Sequence, residues 1–195
     1  MKHRNLTLVS LFIFFSIMIL QSHSDGRANR DRDNTGAPGG QTGANGLISC
    51  QNCHSNGNFD VSLNLELLDV NNNSITEYIP NEVYTAKVTI ETLSGDTPNG
   101  YGFQMVSLID SDDSDVNGWM DSEHSSNVQL VLANSTGRIY AEHHSLSTTN
   151  EFTASWTAPE TNSGDVSFYV AGIGANGNSG STGDHAPTPI KITGS

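Results

Sequence analysis

The clearest indication of the fold class of this chain is the stretch Asn58-Phe59-Asp60-Val61-Ser62-Leu63-Asn64-Leu65-Glu66-Leu67. Apolar residues occupy every second position from Phe59 to Leu67, and polar residues fill the positions between them. Side chains of a β-strand point alternately to opposite faces, so this pattern predicts a strand with one buried and one exposed face. The same alternation returns over residues 84–90.

Further short strands are predicted along the rest of the chain. Each is flanked by Gly, Asn, Asp, Ser or Pro, which are typical of turns, and no segment of ten or more residues behind residue 24 shows a 3.6-residue apolar period. Seven to nine short strands with frequent turns predict an all-β fold, an antiparallel β-sandwich. The additional strands are predicted at 102–109, 128–132, 137–143, 151–156, 166–173 and 189–193.

The N-terminus has the features of a secretion signal. Two basic residues precede a nearly unbroken apolar run over residues 6–20, and small residues follow at the positions before a cut after Ser24. The run is shorter than the roughly 20 residues that a spanning helix needs. We therefore predict a cleaved signal peptide over residues 1–24, no membrane span after its removal, and a secreted or extracytoplasmic protein in the periplasm or at the cell surface. An uncleaved membrane anchor is the alternative.

Composition divides the remaining chain into two parts. Residues 25–48 are rich in Gly, Asn, Asp and Arg and offer little to bury, which predicts a flexible leader. The β-sandwich domain is predicted over residues 49–195. Loss of Lys2 and Arg4 with the signal leaves six basic residues against 21 acidic ones, a net charge of −15 instead of −13. Such a negative surface repels phosphate backbones, so we expect no nucleic-acid partner.

Both cysteines of the chain lie in Cys50-Gln51-Asn52-Cys53-His54. This spacing is that of c-type haem attachment, in which the thiols form thioethers with two vinyl groups and the next imidazole binds the iron. We predict a covalently bound haem c, with Cys50 and Cys53 as attachment residues and His54 as the proximal ligand. Export suits this chemistry, because c-type haem is attached outside the cytoplasm.

Three other fates compete for the same segment. A disulfide between Cys50 and Cys53 suits an exported protein. A thioredoxin-like redox pair belongs at the start of a helix in a βαβ unit, and the pattern shows none. A structural zinc site would need a distant His as fourth ligand beside Cys50, Cys53 and His54.

His143 is the predicted second iron ligand. In the strand at 137–144 it shares a face with Ile139 and Ala141, which predicts that it points toward the core. His144 is expected to face water. The opposite face of this strand carries Arg138, Tyr140, Glu142 and His144. Other candidate ligands are His124, His185, Met105 and Met120.

An acidic segment, Asp113-Ser114-Asp115-Val116-Asn117-Gly118, has the opening of a calcium loop of the EF-hand kind. The twelfth position should be Glu but is His124, and no flanking helices are predicted. A solvated acidic loop is the favoured interpretation and weak calcium binding the second one. No hydrolytic constellation stands out, and we expect no enzymatic activity.

Several short segments follow one another in an informative order. They are Thr-Gly-Ala-Pro-Gly at 35–39, the Cys-x-x-Cys-His segment at 50–54, Trp-Thr-Ala-Pro at 156–159, Val-Ser-Phe-Tyr-Val-Ala-Gly at 166–172, Ala-Asn-Gly at 175–177 and Gly-Asp at 183–184. In this order they resemble the choice-of-anchor V domain, a group of exported, reelin-domain-like bacterial β-sandwiches. The resemblance implies a secreted immunoglobulin-like β-sandwich whose Cys-x-x-Cys-His segment carries haem, with His143 at a recurring His position.

Two functional hypotheses follow. The first is an exported β-sandwich with a covalent c-type haem, acting in extracytoplasmic electron transfer or haem-dependent sensing with an unidentified redox or surface protein as partner. The second is a non-catalytic extracellular adhesion or binding module with a Cys50–Cys53 disulfide, with or without a stabilising calcium or zinc ion.

Overall fold

The computed structural model of this chain describes residues 26–40, 42–43, 46–124, 126–161 and 163–194. The predicted signal peptide, residues 1–24, lies outside these ranges. The described residues form thirteen β-strands and two short 3₁₀ turns, at Ala28–Arg30 and Cys50–Asn52. The strands are β1 (Thr42–Gly43), β2 (Gly46–Leu47), β3 (Ser55–Asn56), β4 (Phe59–Leu68), β5 (Val83–Gly95), β6 (Gly100–Ile109), β7 (Trp119–His124), β8 (Val128–Leu132), β9 (Ile139–His143), β10 (Glu151–Thr157), β11 (Val166–Ala175), β12 (Thr182–Asp184) and β13 (Ile190–Gly194).

Nine of these strands build a sandwich of two antiparallel sheets. One sheet has the order β4-β5-β10-β7 and the other the order β13-β11-β6-β9-β8. The predicted all-β, antiparallel sandwich is thereby confirmed. Within the described residues, no helix is long and apolar enough to cross a membrane.

The alternation over residues 59–67 does what the sequence predicts. In β4 the side chains of Phe59, Val61, Leu65 and Leu67 are buried, and β5 continues the sheet with the register Leu65↔Val88. The inward faces of the two sheets meet in a core whose largest fully buried side chain is Trp156. Core packing of such alternating faces is the main stabilisation of a β-sandwich.

The five-stranded sheet is also covered on its second face. Residues 26–40 run across it, and we call this segment the strap. Its Ala28 and Ala37 are fully buried and pack in one cluster with Val106, Leu108 and Tyr140 of the sheet. The prediction of a flexible leader with little to bury is therefore wrong for residues 26–40. β6 is consequently buried on both faces over almost its whole length.

Hydrogen bonds hold the strap where it has few large apolar side chains. The Tyr140 hydroxyl donates to Asp33 Oδ2 (2.8 Å), the Asn34 amide donates to Gln104 Oε1 (2.7 Å), and Gln104 Nε2 donates to the Arg32 carbonyl (3.0 Å). The low apolar content of the strap hides its packing from the sequence, because small residues and buried polar pairs hold the segment against the sheet.

Candidate functional site

Residues 50–54 form a compact helical turn at one edge of the strap. Ser49 precedes it, and its backbone N–H donates to Asn52 Oδ1 (2.7 Å), which caps the 3₁₀ turn Cys50–Asn52. The His54 N–H donates to the Cys50 carbonyl (2.9 Å) and continues the turn. One turn of chain therefore brings the two thiols and the imidazole to the same place.

His54 is held from behind by a buried carboxylate. Its Nδ1 lies 2.7 Å from Oδ2 of Asp184, a residue of β12 that is 1 % exposed. A carboxylate has no proton to give, so Nδ1–H is the donor and Nε2 is left free. The second oxygen, Asp184 Oδ1, accepts the Asn176 N–H (2.8 Å). This arrangement resembles the carboxylate–histidine pairs that orient metal-binding imidazoles.

Strand pairing outside the sandwich puts Asp184 in this place. β12 runs parallel to β3, the two-residue strand that follows His54, with the register Asp184↔Asn56. In the sequence, Asp184 stands out only as part of the Gly-Asp segment of the family resemblance. Its contact with His54 spans 130 positions, and no local pattern reveals it.

His143 is anchored in a similar way by backbone atoms. Its Nδ1 lies 2.9 Å from the Phe103 carbonyl oxygen and 3.1 Å from the Phe103 amide nitrogen, and either contact leaves Nε2 unengaged. Burial lowers the pKa of His143, as do the charges of Arg27 and His54, so the neutral imidazole is favoured. The ring lies against Gly102, where an added Cβ would come within 2.9 Å of Nε2.

The face on which His143 lies differs from the sequence prediction. Gly102 presents its open side to the strap, and the His143 ring fills that space instead of pointing between the two sheets. On the same outer side, Tyr140 and Glu142 are each 1 % exposed, although the sequence places them opposite the core. Both differences have one cause, which is that the strap makes the outer face of the sheet a second interior.

Cys50, Cys53, His54 and His143 all line one cavity of about 250 Å³. Apolar side chains, among them Ile48, Phe103 and Ile173, contribute to its wall. Neither imidazole has a hydrogen-bond partner for Nε2 among the residues that the structure describes. The structure thus brings together all four predicted site residues. Their roles as attachment residues and iron ligands stay predictions.

The two thiols differ in environment. Cys53 is exposed, whereas Cys50 is half-buried, and burial raises the pKa of its thiol to about 12. Both cysteines are free in this structure. Cys50 therefore remains a protonated thiol at neutral pH unless it is consumed by bond formation.

Two of the other candidate ligands are engaged elsewhere. His185 Nε2 lies 3.2 Å from Asp60 Oδ1, and Met105 is fully buried in the sandwich core. His144 is exposed, as predicted. The side chain of His124 lies outside the described part of the chain. Met120 is half-buried and is not among the residues that line the cavity.

Neither ion considered from the sequence has an assembled site. Over the described ranges, no group of three or more His, Cys, Asp and Glu side chains is arranged to hold a metal ion. In the acidic loop, Asp115 accepts the Asn117 N–H at Oδ1 (2.9 Å) and the Ile139 N–H at Oδ2 (2.6 Å). Its carboxylate therefore fastens the loop to β9. Calcium and zinc binding stay predictions.

Comparison with known proteins gives likenesses of structure only. No family model and no curated protein matches the chain. It is similar to the reeler domain of human F-spondin (12 % identity, TM-score 0.44, 73 % of this chain and 94 % of that one). It is also similar to the fimbrial subunit AggA of Escherichia coli (16 %, 0.37, 73 % and 97 %) and to a cohesin module of Clostridium perfringens (13 %, 0.37, 72 % and 100 %). Membership of the choice-of-anchor V family stays a prediction.

Proposed function

We propose that this protein is a non-catalytic, extracytoplasmic β-sandwich module that carries one covalent c-type haem in the cavity between residues 50–54 and His143. The observation that carries the proposal is the donor set of this cavity. Two thiols at the attachment spacing and two imidazoles, each tethered through Nδ1, line the same 250 Å³ space.

The chemistry of these residues suits such a group. The thiols of Cys50 and Cys53 would add across the two vinyl groups, and the Nε2 atoms of His54 and His143 would bind the iron. Asp184 and the Phe103 carbonyl would set the orientation and the tautomer of the two rings. The haem, when bound, would supply one-electron redox chemistry.

Ligation by two imidazoles favours electron transfer over gas sensing. A sensor of small molecules needs an open iron position, whereas here both His54 and His143 would bind the iron. The strap also shields this region from solvent, because it covers the outer face of the five-stranded sheet beside the cavity and excludes water from most of that face. We therefore assign the module to extracytoplasmic electron transfer, with a redox or surface protein as partner.

A second candidate function rests on the closeness of the two thiols. Cys53 lies near enough to Cys50 for its charge to raise the pKa of the Cys50 thiol further, and both sit on one helical turn. In an oxidising compartment this pair could close as a disulfide. The protein would then be an adhesion or binding module in which the disulfide stiffens the turn between strap and sandwich.

One purification separates the two candidates. The chain is exported from a host with haem-attachment machinery, and its intact mass and visible spectrum are recorded beside those of a Cys50→Ser/Cys53→Ser control. Haem attachment predicts a mass increase of one haem and a Soret band that the control loses. A colourless protein lacking two hydrogens would refute the haem proposal and support the disulfide. In a haem-loaded chain, His143→Ala should shift the Soret band and the reduction potential, and an unchanged spectrum would remove His143 as ligand.

A further inference from the structure

Basic side chains are scarce in this acidic protein, and they fall into two groups. Three are paired with carboxylates: Lys87 with Glu151, Lys191 with Asp110, and Arg138 with Asp33. The other three, Arg27, Arg30 and Arg32, form no ion pair with any residue that the structure describes.

The three unpaired arginines lie together on the strap, within six positions of one another. Acidic neighbours are available there but are used otherwise. Asp31 Oδ1 accepts the Ser135 N–H (2.9 Å), and Asp33 accepts the Tyr140 hydroxyl (2.8 Å). All three arginine side chains are exposed, so their guanidinium groups are open to an anionic ligand.

The cluster stands at the openings of two adjoining cavities. Arg27 and Arg32 line the 250 Å³ cavity of the predicted haem site. Arg27 and Arg30 line a second cavity of about 380 Å³, which shares Glu142 and His143 with the first. The unpaired basic side chains of the described chain thus line these two cavities.

Glu142 is the acidic side chain common to both cavities. It is 1 % exposed, and its Oε2 accepts a hydrogen bond from Gln104 Nε2 (2.9 Å). Its Oε1 has no hydrogen-bond partner among the described residues and lies close to Gly26 of the strap backbone. This carboxylate is therefore directed between sheet and strap and does not pair with the exposed guanidinium groups.

From this placement we infer that Arg27 and Arg32 bind the carboxylate groups of the ligand that occupies the 250 Å³ cavity. Guanidinium groups match carboxylates in shape and bind them through two parallel hydrogen bonds. The inference rests on the proposed function, in which the carboxylates are the two propionates of the haem. A free organic acid offers the same chemistry and is the other source that the test must distinguish. Arg30, which lines only the second cavity of about 380 Å³, has no part in this contact.

The test uses the mature chain with Cys50→Ser and Cys53→Ser, so that binding is reversible. Haemin and its dimethyl ester, which lacks the free carboxylates, are titrated against this protein and followed by Soret absorbance and tryptophan fluorescence. Because the ester lacks both free carboxylates, we expect it to bind about a hundredfold more weakly than haemin, in line with the loss of two charge-assisted contacts of about tenfold each. Arg27→Gln and Arg32→Gln should each weaken haemin binding by about tenfold and leave ester binding unchanged.

Arg30→Gln is the matched control, since it removes the same charge from the same segment, and it should stay within about twofold of the parent protein. Equal binding of haemin and ester, or haemin binding that Arg27→Gln and Arg32→Gln leave intact, would overturn the inference while the haem proposal stands. A third probe, phthalate, covers the other source. If phthalate binds in an arginine-dependent way and neither porphyrin binds, the carboxylate site is supported and the haem proposal fails. Absence of binding by all three probes overturns both.

Discussion

Replacement of Tyr140 by Phe should loosen the strap and lower the stability of the whole domain. The Tyr140 hydroxyl donates to Asp33 Oδ2 at 2.8 Å, and the two residues are 1 % and 6 % exposed. The change therefore deletes a buried hydrogen bond to a carboxylate. Hydrogen bonds to charged groups contribute about 1.5–3 kcal/mol, and a buried acceptor left without its donor costs a similar amount.

The remaining partners of Asp33 place the expected loss within that range. Thr35 still donates to Oδ1 from its backbone N–H (2.8 Å), but Oδ2 keeps only Arg138 Nη1 at 3.7 Å. Arg138 Nη1 has no hydrogen-bond partner among the described residues, so it can move toward Oδ2 and recover part of the energy. We therefore expect a decrease in the free energy of unfolding of about 2 kcal/mol, or about 4–8 °C in Tm for a domain of this size.

Urea unfolding followed by tryptophan fluorescence measures the global effect, because Trp119 and Trp156 are both buried in the core. Limited trypsin digestion measures the local one, since the exposed Arg27, Arg30 and Arg32 lie on the strap. If the strap opens by itself, 2 kcal/mol corresponds to about thirtyfold faster cleavage at these arginines.

Tyr101→Phe is the matched control. Tyr101 is 7 % exposed and, unlike that of Tyr140, its hydroxyl makes no hydrogen bond with a residue that the structure describes. It should lose less than about 0.5 kcal/mol and keep the cleavage rate of the parent protein. Equal effects of Tyr140→Phe and Tyr101→Phe would refute the conclusion that the Tyr140–Asp33 hydrogen bond holds the strap.

Three further predictions concern pH, the site and the core. Burial raises the pKa of Glu142 from 4.5 to about 7, so the folded chain retains a proton that the unfolded chain releases, and the free energy of unfolding should fall as pH rises between these values. In urea midpoints taken from about pH 4 to about pH 8, Glu142→Gln should remove up to about 3 kcal/mol of this decline. Parallel pH profiles of the variant and the parent protein would contradict the prediction. Gly102→Ala places a Cβ 2.9 Å from His143 Nε2, so the imidazole ring must move. The visible spectrum of the haem-loaded variant should then approach that of His143→Ala. A spectrum like that of the parent protein would count against His143 as ligand. Trp156 is fully buried, and its ring centroid lies 4.8 Å from that of Phe168. Trp156→Ala should therefore lower the free energy of unfolding, measured by thermal unfolding, by about 4 kcal/mol. A loss below about 1 kcal/mol would show that the core is not centred on Trp156.

Much of the strand pattern was predictable, because alternation is a local property of the chain. The strand predicted at 128–132 is β8 itself, and those at 151–156 and 166–173 differ from β10 and β11 only at their ends. β7 was not predicted, since only its first two residues, Trp119 and Met120, are apolar. β7 has no periodic apolar pattern of its own and forms as a strand through its pairing with β10.

The candidate site was predictable in its local part. Residues 50–54 carry their spacing in the sequence, and one helical turn converts that spacing into a cluster of two thiols and an imidazole. His143 lines the same cavity as these residues, but it lies on the other face of its strand from the one that the alternation predicts. Its position depends on Gly102, which leaves room for the ring on a neighbouring strand 41 positions away.

Alternation and spacing were enough to predict most of the strands, the sandwich class of the fold and the candidate chemistry of residues 50–54, since each depends on neighbours a few positions apart. The packing of the chain established that residues 26–40 are a packed strap, that Asp184 lies behind His54, and that Arg27 and Arg32 line the cavity that His54 and His143 share. These arrangements join residues up to 130 positions apart through buried hydrogen bonds and strand register. Their partners are chosen when the chain packs, so no pattern of composition or spacing contains them.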